Sequence, residues 1–320
     1  MVDLTALAFT GALLVALLVD RYFGEPPIRL HPVVWMGNYL DWAARRVHPM
    51  PSPVVRDLKA FTLGAIAWLA GVALVGLVAG ALQWAVLQLP ALLSALLLGV
   101  ALKPMLAWAM LGREVQAAED ALGESLAAGR ERLSWLVSRD TSTLSESEVR
   151  ESAIESLAEN LNDSVVAPIF WFVLFGLPGA AVYRFANTAD AMWGYRGMRN
   201  GVNWEWAGKW AAWADDVLSW LPARLTALLL ALVAPGVRLA SLRLEAHKTP
   251  SPNSGWPMAA MALALGVCLH KPGVYALNSS GAPPQAASTS DALKYASKVV
   301  KAAVLFAFLA ITLIAFIGIY

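Results

Sequence analysis

Between residues 145 and 163 the carboxylates recur at helical intervals. Glu148, Glu151, Glu155, Glu159 and Asp163 are separated by 3, 4, 4 and 4 positions, which sets them along one face of a helix. Ser145 and Glu148 have the spacing of a capping box that would start this helix. Val149, Ala153, Ile154, Leu157 and Leu161 form an apolar stripe on the other side. Like charges four apart repel, and only Arg150 lies close enough in sequence to offset them. The acidic face then runs through Asn160 and Asn162 into an apolar segment, where a carboxylate needs a partner or a cation. Two readings of the pattern stand side by side. One is a solvated helix face. The other is a site for a cation, either a cationic substrate group or Mg²⁺, which oxygen-only ligation suits.

Other polar residues gather in short islands. Ser138-Arg139-Asp140-Thr141-Ser142 immediately precedes the acidic helix. A second island holds Arg184, Asn187 and Asp190, the last two sharing a helix face, followed by Tyr195 and then by Asp215-Asp216 and Arg224. Ser251-Pro252-Asn253-Ser254-Gly255-Trp256-Pro257 packs two prolines, a glycine and an asparagine into seven residues, the composition of a rigid turn. Near the N-terminus, Asp20-Arg21-Tyr22-Phe23-Gly24-Glu25-Pro26-Pro27 reads as a helix stop with interfacial charges. His31, held extended by Pro32, is as well suited to a structural hydrogen bond as to a ligand. Several familiar chemistries are missing: no Walker-type phosphate loop, no G-x-S-x-G elbow and no H-E-x-x-H spacing occur. Cys268 sits in an apolar run as buried filler.

The elements that must position these groups are set by hydropathy. Of 320 residues, 58% are hydrophobic and 15% charged, and the mean hydropathy is +0.56. Soluble domains carry about 25% charge, so the chain reads as an integral membrane protein. The 14 tryptophans suit membrane interfaces. A net charge of +1 argues against a nucleic-acid partner, and one cysteine excludes a disulfide scaffold. Four segments read as clear membrane helices: Leu4–Val19, Phe61–Leu82, Trp84–Leu102 and Ala302–Tyr320, the middle two as a hairpin. Val165–Val182, Leu225–Val237 and Trp256–Leu269 are shorter or interrupted by proline and glycine, and read as partial or re-entrant segments. Ser279–Ser290 reads as a loop.

The fold class is therefore an all-α polytopic membrane protein, organised as one integral domain. Residues 1–60 supply the first helix and a basic loop, 61–111 the hairpin, and 112–164 a cytoplasmic loop with the acidic helix. Residues 165–298 supply broken helices and site loops, and 299–320 the C-terminal helix. Arginines after the first helix and after the hairpin put both segments in the cytoplasm and the N-terminus outside. Arg184–Lys209 is basic as well, which favours a re-entrant path for Val165–Val182 over a full crossing.

Taken in order, these islands resemble the CobD/CbiB family of cobalamin biosynthesis, the adenosylcobinamide-phosphate synthases. The resemblance rests on four stretches between Asp20 and Tyr275. They are Gly24-Glu25-Pro26 with His31-Pro32-Val33; Ser138-Arg139-Asp140-Thr141-Ser142 with Glu155-Ser156-Leu157-Ala158-Glu159-Asn160 and Asp163; Asn187-Thr188-Ala189-Asp190 with Gly194-Tyr195, Asp215-Asp216 and Pro222-Ala223-Arg224-Leu225; and Ser251 to Pro257. Glu25 stands where the family pattern has Asp, Ala189 and Ser254 replace Leu and Ala, and a Gly-Gly pair before Tyr275 is absent.

The resemblance implies a multi-pass protein of the bacterial cytoplasmic membrane with its site facing the cytoplasm. It implies ATP-dependent ligation of a carboxylate of adenosylcobyric acid to the amine of aminopropanol phosphate or ethanolamine phosphate, giving adenosylcobinamide phosphate. The corrinoid is substrate rather than cofactor. Activating a carboxylate as an acyl phosphate calls for Mg²⁺ and for cations around the phosphates. On that implication Glu155, Glu159, Asp163 and Asp190 would hold Mg²⁺, and Arg139, Arg184 and Arg224 would contact phosphates. Asp215 or Asp216 would take the amine proton. His31, Asp140, Thr141, Ser142, Asn160, Asn187, Tyr195, Ser251, Asn253, Gly255 and Trp256 would line the substrates. Partners would be the lipid bilayer and other membrane or cytosolic enzymes of the pathway. A Mg²⁺-dependent intramembrane prenyltransferase and a transporter are the alternatives. The first needs repeated Asp motifs and the second internal repeats, and neither pattern is present.

Overall fold

The computed structural model describes residues 4–47, 56–199 and 201–318. Among the described residues, six helical stretches are long and apolar enough to cross a membrane: Leu4–Phe23, Leu58–Leu87, Ala91–Glu124, Glu146–Trp193, Lys209–Val233 and Ala286–Phe316. The all-α class holds, with two small two-stranded hairpins added. Two of the stretches that read as partial are parts of long helices, because the polar residues flanking them continue the helix. Trp256–Leu269 instead contains a short helix, Gly255–Leu265. Contacts gather in two compact units, 1–106 with 167–219 and 307–320, and 107–166 with 220–306.

In the first unit, α1 (Leu4–Phe23) packs against α4 (Ala91–Leu102). Ala8, Ala12 and Ala16 are buried at four-residue spacing. A Cβ on Gly99 would meet the Val15 side chain at 2.5 Å and the Ala12 carbonyl at 2.7 Å. This is the small-residue contact of membrane helices, in which close backbone approach replaces a hydrophobic driving force. Between them come α2 (Pro32–Val47) and α3 (Leu58–Leu87). The turn between α3 and α4 lies at Gln88–Pro90, later than the apolar break at Gln83 suggests.

The first island is not a set of interfacial charges. Asp20 and Lys103 are 1% and 2% exposed, and their carboxylate and ammonium lie 3.1 Å apart. Lys103 also reaches Glu25 at 2.6 Å, and His31 Nε2 meets the other Glu25 oxygen at 3.2 Å. One buried ammonium thus ties together the end of α1, the Gly24–Pro27 turn and the end of α4.

The helix from Ala167 to Trp193 (α8) breaks at Gly176, whose φ of 65° is left-handed. The Leu177 N–H freed there donates to Gln83 Oε1 at 2.7 Å. A buried amide in lipid needs such an acceptor. Beyond the break the chain runs antiparallel to α3: Pro178 lies near Gly80, Val182 near Gly76 and Phe185 near Gly71. Ala207 then packs with Val47 and Ala60, at the end of α3 that starts at Leu58. The segment therefore turns at Gly176 and runs back along α3.

In the second unit the connecting elements are α5 (Trp108–Glu124), α6 (Leu126–Leu133) and α7 (Glu146–Leu161). The helix Lys209–Val233 (α9) passes from the first unit into this one, and α10 (Leu239–Ala246) and α11 (Gly255–Leu265) follow it. The hairpin of β3 (Leu269–Lys271) and β4 (Tyr275–Leu277) comes next, and then α12 (Ala286–Phe316). β1 (Met198–Arg199) and β2 (Val202–Asn203) form the other hairpin, in the first unit. The loop expected to end at Ser290 ends at Gln285, where α12 begins. The capping box at the start of α7 is present, with Ser145 accepting from Glu148 N and the Glu148 carboxylate accepting from Ser145 N. Ten residues of α7 are buried, from both its apolar and its polar sides.

Candidate active site

Helix α7 is enclosed by α5, α6, α11 and β3, so its acidic residues are not a solvated face. Glu151 and Glu155 are 4% and 5% exposed, whereas Glu159 is exposed one turn later. A buried carboxylate needs a cation or donors, and each has them. Arg139, just before the helix, donates through Nη2 to Glu155 Oε2 at 2.8 Å and to Ser152 Oγ at 2.5 Å. The Tyr275 hydroxyl hydrogen-bonds the Glu155 carboxylate. Burial, and next the Glu155 charge, push the Tyr275 phenol well above its ordinary value, so it stays protonated and serves as a donor. Glu151 Oε2 accepts from the His270 backbone N–H at 2.9 Å and is also bonded by His270 Nδ1. Arg150 pairs with Glu119 and Glu146, and Thr289 bonds Glu119 at 2.6 Å, joining α5, α7 and α12.

These residues surround a cavity of about 190 Å³ lined by Arg139, Ser152, Glu155, Ser156, Glu159, Asn160, Lys271 and Tyr275. Its floor is a helix, and its other walls are the Leu136–Arg139 segment and the β3–β4 hairpin. A second cavity of about 330 Å³, lined by Met110, Glu114, Trp135 and Ser164, shares Leu136, Ser156 and Asn160 with it. Immediately after Leu161 the helix widens into a π turn over Asn162–Val166. There Asn162 accepts from Thr226 at 3.0 Å and donates to Asp163 at 2.7 Å. Such π turns recur at functional sites.

The remaining residues singled out from sequence fall as follows. Asp140 accepts from Ser142 N, and the two Ser142 donors hold its carboxyl below the usual range. Thr141 is buried against the Arg130 carbonyl. Both therefore shape the approach to Arg139. Arg224 is stacked between Trp220 and Trp256, 4.4 and 4.8 Å from the ring centres. It donates to Asn253 Oδ1 at 2.8 Å and the Pro252 carbonyl at 3.1 Å. Ser251 Oγ accepts from the backbone of Asn253 and Ser254, and a Cβ on Gly255 would collide with the Ala246 carbonyl. Arg224, Ser251, Asn253, Gly255 and Trp256 thus form one cluster. In the first unit, Arg184 Nη1 bonds Asn187 at 3.4 Å, Asp190 carbonyl accepts from Gly194 at 2.7 Å, and Tyr195 lies under Arg199. Asp215 and Asp216 are half-buried on α9, and His31 belongs to the Lys103 cluster.

Among the described residues no three His, Cys, Asp or Glu side chains are drawn together as a ready metal cage. Mg²⁺ that keeps several waters and leans on substrate phosphates needs only one or two carboxylates, and the Glu155–Glu159 edge of the cavity fits that role. Sequence reasoning placed Glu151 in the acidic row without assigning it to the site, and missed His270 and Lys271. Only their position beside Glu155 and Tyr275 in space marks them, since α7 and the hairpin are more than a hundred residues apart.

The profile of the CobD/CbiB protein family matches residues 13–306. The chain is 39% identical to a probable cobalamin biosynthesis protein CobD of Methanothermobacter thermautotrophicus, over 83% of this chain and 86% of the relative. It is 42% identical to the cobalamin biosynthesis protein CobD of Chromobacterium violaceum, over 80% and 79%. A third relative, the cobalamin biosynthesis protein CobD of Brucella suis, is 36% identical over 84% of each chain. No solved structure matches.

Proposed function

The chain belongs to the CobD/CbiB family of cobalamin biosynthesis proteins, and from that premise we propose that it is an acid–amine ligase. It joins a carboxylate of adenosylcobyric acid to the amine of aminopropanol phosphate or ethanolamine phosphate, with ATP consumed and adenosylcobinamide phosphate formed. The observation that carries this reading is the cavity on α7. It holds carboxylates and cations within about 190 Å³, a volume suited to a small zwitterion and to the edge of a corrinoid rather than to the whole macrocycle. Glu155 and Glu159 face the ammonium end of that zwitterion. Tyr275 and Arg139 fix the Glu155 carboxylate, so that it does not swing during turnover. Glu159, exposed at the cavity edge, would hold Mg²⁺ with Glu155; when bound, the ion offsets the charge on phosphate oxygens. On this reading the cavity faces the cytoplasm, where ATP is available.

The test is direct. The purified membrane protein, given adenosylcobyric acid, Mg²⁺, ATP and aminopropanol phosphate, should form adenosylcobinamide phosphate, read by chromatography and mass spectrometry. Glu155→Gln, which keeps the shape of the side chain, should lose at least about 100-fold in kcat/KM. No product from wild type overturns the function. Wild-type turnover in Glu155→Gln overturns the placement of the site.

A further inference from the structure

Arg139 is already engaged by Glu155 and Ser152, so the cavity's available cation lies elsewhere. Lys271 lines the same cavity, is exposed at its rim, and makes no ion pair among the described residues. It sits in a strand of three residues, paired antiparallel with β4 in the register Leu269↔Leu277, His270↔Ala276 and Lys271↔Tyr275. A two-stranded hairpin is marginal by itself, so something must hold this one in place. Leu269 and Leu277 are fully buried at its base. At its middle, Glu151 takes both the backbone N–H and the imidazole Nδ1 of His270 on one oxygen, while its other oxygen accepts from Ser147 Oγ at 3.3 Å. Successive side chains of a strand point to opposite faces. With His270 turned to Glu151, Lys271 is turned away from it, and Lys271 and Tyr275, its partner in register, both reach the cavity.

We propose that Lys271 is the anion-binding residue of this cavity, taking the phosphate monoester of the small amine, and that Glu151 is the positioning residue that holds it there through His270. The identity of the anion rests on the ligation reading above. An ammonium on a flexible stem is a point-charge binder, so its reach depends on where its strand is pinned. The ammonium of the substrate would then face Glu155 and Glu159 while its phosphate faces Lys271.

The experiment uses the full-length protein in detergent or nanodiscs. Ethanolamine phosphate alone, without ATP or corrinoid, should slow hydrogen exchange in the 267–278 segment of wild type but not of Lys271→Met. In the ligation assay, Lys271→Met should raise KM for ethanolamine phosphate by about 10- to 100-fold, the loss of one charge-assisted contact. KM for the corrinoid acid and the unfolding midpoint should not move. Glu151→Gln should raise the same KM in a smaller step and speed exchange at 267–278 without ligand. Equal protection and equal KM in Lys271→Met would overturn the assignment of the anion site, and unchanged exchange in Glu151→Gln would overturn the clamp. Lys271-dependent protection in a protein that makes no amide would retire the ligation reading and leave this site standing.

Discussion

Replacing Lys103 by methionine should be among the most damaging single changes in the first unit. The ammonium is 2% exposed and serves Asp20 at 3.1 Å, Glu25 at 2.6 Å and the Leu106 carbonyl at 3.3 Å. Methionine fills the same volume, so packing is kept and only the charge is lost. Removing one member of a buried pair costs about 3–5 kcal/mol, because the remaining charge is left uncompensated. The partners differ in how they bear it. Glu25, at 20% side-chain exposure, can rehydrate, whereas Asp20, at 1%, cannot. Asp20→Asn should accordingly cost less, about 1–2 kcal/mol, since Lys103 keeps Glu25. Asp20→Asn combined with Lys103→Met should return to within about 1 kcal/mol of wild type, as neutral replacements of buried pairs often do. The assay is thermal unfolding of the detergent-solubilised protein followed by tryptophan fluorescence. Lys103→Met should lower the midpoint by roughly 10 °C, and the double variant should recover most of that. A Lys103→Met midpoint equal to wild type, or a double variant as unstable as the sum of the single ones, would refute the buried-charge argument.

Gln83→Leu removes the acceptor of the Leu177 N–H at the Gly176 break and should cost about 1–3 kcal/mol; an unchanged midpoint would mean that the break has another acceptor. Cys268, the only cysteine, has its thiol pushed up first by burial and then by Glu151, Glu155 and Glu245. Its thiolate fraction at neutral pH is thereby reduced, so maleimide should label it more slowly than a free cysteine, and faster as pH rises. Labelling at the free-thiol rate at pH 7 would contradict that environment. A reporter fused at Arg199 should read cytoplasmic, on the same side as one fused at Arg56, because the re-entrant turn returns the chain to the start of α3; an external signal at Arg199 would refute that path.

Much of the local structure was legible because it depends on near neighbours in sequence. Ser145 and Glu148 cap α7 on the strength of three-residue spacing alone, and the break near Gly176 follows from a glycine two residues before a proline. Element ends were less legible. Ala286–Ser290 reads as loop by composition, yet it starts α12, where Thr289 bonds Glu119 of α5. The hairpin turn falls at Pro90 rather than at Gln83, because Gln83 is retained inside the helix to satisfy a backbone group of α8.

The candidate site divides in the same way. The sequence by itself determined the membrane character, the helix that carries the carboxylates, and the ordered islands by which the family is recognised, since composition and short-range periodicity encode all three. Whether those carboxylates face water was decided only by tertiary structure. Burial of Glu151 and Glu155 depends on α5, α6, α11 and a hairpin that arrives from residues 269–277. The same packing made His270 and Lys271 part of the site, and in the first unit the approach of α1 to α4 made Lys103 the buried centre of an ion cluster. Coulomb and desolvation energies depend on distance and on exclusion of water, and neither is set until the chain has closed on itself.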